Sequence, residues 1–348
     1  MKTLAAVLEN VNNSLCVEEL VTPELKYGQV LVKVVYSGVC HSQLNEVDGL
    51  KGEDKFLPHT LGHEGSGVVI EIGPDVRKVK VGDHVILTWI KGEGADVSAA
   101  QYRRRNGTIV NSGAISTFME YTVVSENRLV VVSNDMPFKE AALLGCAIPT
   151  GVGIVINTLN VPVGSSVGIF GMGGIGLSVL LGAKINGAAK IIAFDINADK
   201  LVNAMRLGAT HTVNVRDDDV LSRIMEITSG KGLDYAIECA GKRESMEMAF
   251  RSVRDAGGIC VIAGNLPQGE HILINPFDLI KGKKIVGTWG GGTKPDIDIP
   301  MLVKLYLSGE LRISELIGNI YNLVDINNAL NDLRHGVNGR ILIGMLPR

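Results

Sequence analysis

The run Gly171-Met172-Gly173-Gly174-Ile175-Gly176 stands between two readable elements, and that setting limits the fold more than any other segment does. Ser166–Phe170 before it is apolar and strand-like; Gly173–Asn186 after it reads as a helix stopped by Gly187. Asp195 follows Gly176 by 19 residues, at the end of the next strand, Lys190–Phe194. A G-x-G-x-x-G run alone is weak evidence; strand, loop, helix, strand and acid in this order are specific. Gly171 supplies the tight turn, Gly173 the close approach of backbone to a pyrophosphate, and Gly176 the close packing of helix on strand. The helix N-terminus, entered through Gly174 and Ile175, favours phosphate charge. Asp195 can accept from both hydroxyls of an adenosine ribose, and no arginine lies close in sequence to hold a 2′-phosphate. The loop therefore predicts NAD(H) in preference to NADP(H). A purely structural turn and a methyltransferase loop are the alternatives.

The same alternation continues downstream. Asn197 caps a helix that ends at Gly208, Thr212–Val215 follows as a strand, and Leu233–Cys239 and Gly258–Ala263 extend the series. This predicts an α/β fold with a doubly wound parallel sheet. The first ~140 residues read differently. Val30–Tyr36, Gly67–Ile72 and Asp83–Leu87 are β-branched runs separated by Gly73-Pro74-Asp75 and Val81-Gly82-Asp83 turns. After about Trp289 the chain returns to short mixed segments and ends in a strand-like Arg340–Met345. Gly164-Ser165-Ser166-Val167-Gly168 fits a G-x-S-x-G pattern, but its serine precedes the strand, so it reads as a turn and not a nucleophile elbow.

Charge and cysteine usage exclude several classes. With 34 Lys+Arg against 37 Asp+Glu, net −3, the chain lacks the basic excess of a nucleic-acid binder. Met1–Val7 is too short an apolar run for a targeting segment, being cut off at Glu9 and Asn10. Ala141–Ala183 carries no charge over 43 residues, long enough for a membrane span. Pro149, Pro162 and ten glycines break it up, so burial inside protein is expected instead. Five cysteines are a poor disulfide set and point to a reducing, cytoplasmic setting.

Cys16, Cys239 and Cys260 lie in apolar strand-like runs and read as core thiols. Cys40 ends Tyr36-Ser37-Gly38-Val39-Cys40-His41, Cys146 follows Gly145, and His63 lies between them in Gly62-His63-Glu64-Gly65. Two thiolates and an imidazole suit zinc and leave a fourth position open. Spacing alone leaves buried thiols and an ordinary histidine as the alternative.

The stretch Gly62-His63-Glu64-x-x-Gly67-x5-Gly73-x2-Val76 resembles the zinc-type signature of the medium-chain alcohol dehydrogenases. The resemblance runs on through Val81-Gly82-Asp83, Gly145-Cys146 to Thr150-Gly151, the glycine loop with Asp195, and Gly339-Arg340. It is nearest to the liver-type and glutathione-dependent formaldehyde branch. It implies a GroES-like β-rich catalytic domain (1–148 and 289–348) and a Rossmann cofactor domain (149–288). It sets Cys40, His63 and Cys146 on the zinc ligands, Glu64 on an acidic residue behind the metal, and Ser42 on a hydroxyl that bonds the substrate oxygen. His41, Thr150, Ile175, Lys200 and Arg340 fall on cofactor contacts, and Trp89 on an aromatic of the substrate pocket. The activity implied is reversible NAD-linked oxidation of a small alcohol to a carbonyl. Partners implied are that substrate and a second copy of the chain, paired through a cofactor-domain edge near Lys284–Trp289, with a tetramer also allowed.

Three departures matter. The family's structural-zinc lobe has four close cysteines, whereas Lys91–Gly113 has none, so one catalytic zinc per chain is expected. That segment instead carries Arg103-Arg104-Arg105, either an anion-binding feature or a solvated loop. Gln43 replaces an aspartate that orients the zinc-bound imidazole, and Asn45 replaces a histidine that ends a proton relay. Asn cannot accept a proton, which leaves bulk water or Glu46 for that task. A polyol or sugar dehydrogenase of the same superfamily and a non-catalytic NAD-binding scaffold are the rival readings.

Overall fold

The computed structural model describes residues 1–345. The chain divides into two units, Met1–Cys146 with Lys294–Arg348, and Ala147–Thr293.

The first unit is β-rich. Lys2–Leu8, Cys16–Val21, Gln101–Arg103, Ile109–Asn111 and His59–Thr60 close into a barrel. A second sheet is built on the long strand Gln29–Gly38, which pairs antiparallel with Glu64–Ile72, Tyr121–Ser125 and Arg340–Gly344. Glu64–Ile72 pairs in turn with His84–Thr88. The last strand thus brings the C-terminal segment onto the first, and Leu323, Ile326, Leu330, Ile341 and Ile343 share one core with Ala6, Leu8, Val34 and Phe118. The tail is more helical than its composition suggested. Pro295–Leu307 is a 13-residue helix with Pro295 in its first turn, and Ile326–Arg334 is another helix. Pro295 reads as a breaker in sequence but is well tolerated where its missing N–H has no partner to lose. Pro300 lies inside the helix and obscured its period.

Lys91–Gly113 is held by direct contacts. Glu126 is almost fully buried; its Oε2 accepts from the amides of Arg77 (2.8 Å) and Lys78 (2.9 Å), and its Oε1 from Ala95 (2.9 Å). Gln101–Arg103 and Ile109–Asn111 form a hairpin. Its arginines answer the acids of the neighbouring strands: Arg104 bonds Glu18 and Glu9, and Arg105 bonds Glu19. Arg104 and Arg105 are therefore paired with acids.

Burial works against the charge of Glu126, yet the three amide donors and Lys78 hold its carboxyl below the usual range. A depressed folded pKa stabilises the fold above the unfolded value and stops doing so as pH falls through the folded one. Glu126→Gln should therefore cost about 1–3 kcal/mol at neutral pH. Urea denaturation should show the difference from wild type shrinking below about pH 4; a cost independent of pH would refute the charge argument.

The second unit carries a six-stranded sheet in the order His211–Asn214, Lys190–Asp195, Ser166–Phe170, Tyr235–Glu238, Ile259–Ile262, Lys284–Gly287. Every pairing in it is parallel. The order reverses beside Ser166–Phe170, the switch point at which such sheets bind ligands. Ser166 opens its strand, as the turn reading requires. The uncharged stretch is distributed over the helices Phe138–Leu143, Ala147–Gly153 and Gly174–Ile185 and the strand Ser166–Phe170. Among the described residues no helix is long and apolar enough to cross a membrane.

Candidate metal and cofactor sites

The thiols and the imidazole meet in the first unit because three elements converge there. Cys40 stands immediately before the helix His41–Val47, His63 immediately before the strand Glu64–Ile72, and Cys146 follows the helix Phe138–Leu143. Their ligand atoms all lie within 4.8 Å of one another, and neither thiol is in a disulfide. Glycines allow the approach. A Cβ on Gly38 would collide with the Glu64 carboxylate, and one on Gly145 with the Leu87 carbonyl and Glu64. The Glu64 carbonyl is fixed by Ser37 Oγ (3.0 Å) and Thr117 Oγ1 (3.1 Å).

Charge decides what this cluster can do. Glu64 is 0% exposed and Arg340 5% exposed, and Arg340 gives Nε (3.0 Å) and Nη2 to Glu64 Oε1. The Cys146 thiol donates to Cys40, and with Arg340 and His63 it draws the Cys40 thiol well below its ordinary range against the cost of burial. The same bond, with burial and the Glu64 charge, pushes Cys146 well up. A divalent ion held by both sulfurs displaces their protons. Burial disfavours the Arg340 charge, but Glu64 and the two thiols outweigh it and keep the guanidinium protonated. Arg340, which the resemblance sets among cofactor contacts, is paired here with the buried Glu64.

His63 Nε2 is buried without a hydrogen-bond partner. An orphaned imidazole nitrogen facing two buried thiols is the donor set of a soft or borderline divalent ion, and zinc fits it. Gln43 adds a local tension. Its Oε1 accepts the Cys40 amide at 2.8 Å, which leaves its Nε2 against His63 Nδ1 at 2.7 Å. A ring whose Nδ1 accepts carries its proton on Nε2, whereas a ligating Nε2 needs the proton on Nδ1. Gln43 must then turn its oxygen to the ring and give up the Cys40 amide. A carboxylate could accept both. Gln43→Asp should tighten zinc binding about tenfold in chelator competition; an unchanged or weaker affinity would contradict this.

Ser42 is half-buried in the helix His41–Val47, and His41 is exposed at its start. Trp89 lies edge-on to His63, with ring centroids 6.4 Å apart. No local pattern places Arg340 beside Glu64, since 276 positions separate the two.

The glycine loop belongs to the second unit. Gly171 has φ +95°, and a Cβ there would press on Ala240; a Cβ on Gly176 would strike the Gly171 carbonyl. A Cβ on Gly173 would meet nothing within 4 Å, so that backbone faces open space as phosphate approach requires. Gly174 and Ile175 open the helix Gly174–Ile185. Asp195 Oδ2 accepts the Met172 amide (2.7 Å) and Oδ1 the Asn197 amide (2.9 Å), which ties the loop to the next turn. Each oxygen keeps lone-pair capacity for a ribose hydroxyl. Asn197 caps the helix Ala198–Leu207, with Lys200 in its first turn. Thr150 Oγ1 is buried without a hydrogen-bond partner, a second orphan that a ligand hydroxyl or phosphate would satisfy.

Comparison with known proteins agrees with both halves. Residues 26–134 match the alcohol dehydrogenase GroES-like domain and 174–307 the zinc-binding dehydrogenase domain. An S-(hydroxymethyl)glutathione dehydrogenase of Synechocystis sp. is 35% identical over 99% of this chain and 100% of its own length. The crystal structure of an alcohol dehydrogenase zinc-binding domain protein from Burkholderia ambifaria superposes with TM-score 0.92 at 33% identity, covering 100% of both chains. Benzyl alcohol dehydrogenase from Acinetobacter calcoaceticus gives 0.90 at 32%, covering 99% of this chain and 100% of its own.

Proposed function

The chain belongs to the zinc-containing alcohol dehydrogenases of the medium-chain dehydrogenase/reductase superfamily, and on that footing we propose a substrate and residue roles for it. It is an NAD-linked, zinc-dependent oxidoreductase that interconverts alcohols and carbonyls. The substrate we propose is a primary alcohol with a planar apolar body, benzyl alcohol being the model. The observation that carries the site is the partnerless, buried His63 Nε2 beside two free thiols.

Cys40, His63 and Cys146 hold the zinc, which when bound supplies a Lewis acid that acidifies an alcohol hydroxyl. Arg340 offsets thiolate charge, and Glu64 fixes Arg340. Ser42 accepts the hydroxyl proton at Oγ and passes on its own. Trp89 gives an apolar body a flat edge beside the ligands. Gly171–Gly176, with the amides entering the helix Gly174–Ile185, holds the pyrophosphate, and Thr150 and Lys200 add contacts. Asp195 holds the ribose. Asp195→Ala should weaken NADH binding about tenfold to a hundredfold, with a smaller loss for NADPH; equal losses in paired titrations would sink this role.

An aromatic alcohol is the substrate proposed on the likeness to benzyl alcohol dehydrogenase and on the flat Trp89 ring beside His63. We further propose a homodimer through the edge strand Lys284–Gly287, around which Leu279, Ile280, Val286 and Trp289 are exposed. Free thiols at the site fit a reducing, cytoplasmic setting.

The test is NAD+ reduction with benzyl alcohol, S-(hydroxymethyl)glutathione, secondary alcohols, polyols and sugars, with zinc measured in the same sample. Benzyl alcohol should be turned over fastest. A faster rate with S-(hydroxymethyl)glutathione or a polyol would overturn the substrate, and no NADH from any of them would overturn the whole reading.

A further inference from the structure

A doubly wound sheet binds its ligand beyond the carboxyl ends of the strands at the switch point, so the loops leaving those ends must keep their places relative to one another. Three of these loops meet at Glu238. It is the last residue of the strand Tyr235–Glu238, and its register partner is Phe170, the last strand residue before the glycine loop. The side chain is 0% exposed, although a carboxyl group is costly to bury. Buried titratable groups of this kind gather at functional sites.

The contacts of Glu238 reach all three loops. Its Oε1 accepts the Ala240 amide at 2.8 Å and the Gly241 amide at 2.9 Å, which holds the chain in a tight turn just after the strand. Its carbonyl accepts the amides of Ala263 (2.9 Å) and Gly264 (3.1 Å), which follow the neighbouring strand Ile259–Ile262. On the other side the Cys239 amide donates to the Phe170 carbonyl at 2.8 Å. Two glycines show how closely the turn is packed. A Cβ on Gly171 would lie 2.8 Å from the Ala240 nitrogen, the same nitrogen whose hydrogen Glu238 accepts. A Cβ on Gly264 would lie 2.5 Å from Glu238 Oε2, so the chain is bare where the carboxyl group needs room. In a contact this close the Ala240 amide cannot shift without displacing Gly171. Burial pushes the Glu238 carboxyl above its usual range, against the pull of the Ser245 hydroxyl and the turn amides. The turn therefore needs an oxygen at the right reach and not a charge, and an amide oxygen accepts as well.

We propose that Glu238 is a positioning residue for dinucleotide binding: by holding the Ala240 and Gly241 amides it fixes the turn against which Gly171 rests, and so keeps the glycine loop in the place that receives the pyrophosphate. It touches neither cofactor nor substrate and acts only through that turn. This rests on the cofactor half of the reading above and not on the identity of the alcohol.

The experiment compares wild type, Glu238→Asp and Glu238→Gln by NADH fluorescence titration and by steady-state kinetics with NAD+ and benzyl alcohol, with zinc content and the thermal midpoint of the cofactor-free protein measured on each. Asp keeps the acid but falls one methylene short of the turn; Gln keeps the reach without the acid. Glu238→Asp should weaken NADH binding about tenfold and raise KM for NAD+ by a similar factor. Its kcat at saturating NAD+, its KM for benzyl alcohol and its zinc content should stay at the wild-type values. Glu238→Gln should bind NADH within about threefold of wild type. Should Glu238→Asp not fold, Gly264→Ala takes its place, since it crowds the same carboxyl group from the far side and should weaken NADH binding likewise. Wild-type NADH affinity in the Asp variant would overturn the proposal, even with a lowered thermal midpoint, because the residue would then serve the fold alone. A loss in Glu238→Gln as large as in Glu238→Asp would overturn it too, by making the charge the working part. A wild type that binds no NADH would overturn both this proposal and the cofactor reading. A wild type that binds NADH but oxidises none of the alcohols would overturn the substrate reading only, and the NADH titrations would still decide this one.

Discussion

Cys40→Ser is expected to empty the metal site and to lower alcohol-dependent NADH formation by about a thousandfold or more, the scale of several kcal/mol of Lewis-acid stabilisation. Serine keeps the shape but replaces a soft thiolate by a hydroxyl that stays protonated at neutral pH. The remaining thiol, Cys146, is the one whose ionisation its neighbours oppose: burial and the Glu64 charge both raise it. A His63–Cys146 pair is thus a poor ligand set. NADH binding should stay near wild type, because Gly171–Gly176, Thr150 and Asp195 all lie in the other unit. Zinc analysis, NADH fluorescence titration and turnover on one preparation separate the outcomes. Retained activity without metal would remove the assignment of the trio.

Arg340→Met should be the most destabilising single change near the site. It removes the guanidinium paired with the fully buried Glu64, and breaking such a pair from one side costs about 3–5 kcal/mol. Glu64→Gln should cost less, since an amide oxygen can still accept from the guanidinium. The double variant Glu64→Met/Arg340→Met should be more stable than Arg340→Met alone, because both halves of the buried ion pair are then replaced by apolar groups. Arg340→Met should also weaken zinc binding, having removed the cation that favours both thiolates; Glu64→Gln should not. Urea denaturation of the four proteins with chelator competition for zinc measures both effects. Equal stability of Arg340→Met and wild type would contradict the reading of this pair.

Much of this was legible in sequence where the chemistry is local. The glycine loop, its strand and helix, the Asn197 cap and Asp195 lie within about thirty consecutive residues, and their roles follow from backbone geometry that glycine alone permits. The metal trio was legible only through a family signature, because its members are far apart and individually ordinary. Arg340 beside Glu64 was not legible in that form. The contact depends on the last strand pairing with Gln29–Gly38, a register that no local pattern states. The Glu126 clamp and the Glu238 turn were hidden for the same reason, since hydrogen bonds from loop amides leave no periodic trace. Gln43 shows another limit: its identity was plain, but its orientation depends on the Cys40 amide competing for the same oxygen.

We propose that zinc held by Cys40, His63 and Cys146 makes this chain an NAD-linked alcohol dehydrogenase. It is tested most directly by stripping the wild-type protein with a chelator and titrating zinc back while NADH formation from benzyl alcohol is followed. The stripped protein should show no turnover, and activity should then rise linearly and saturate when one equivalent per chain has been added. Turnover in the metal-free protein, or a rate indifferent to zinc, would contradict it.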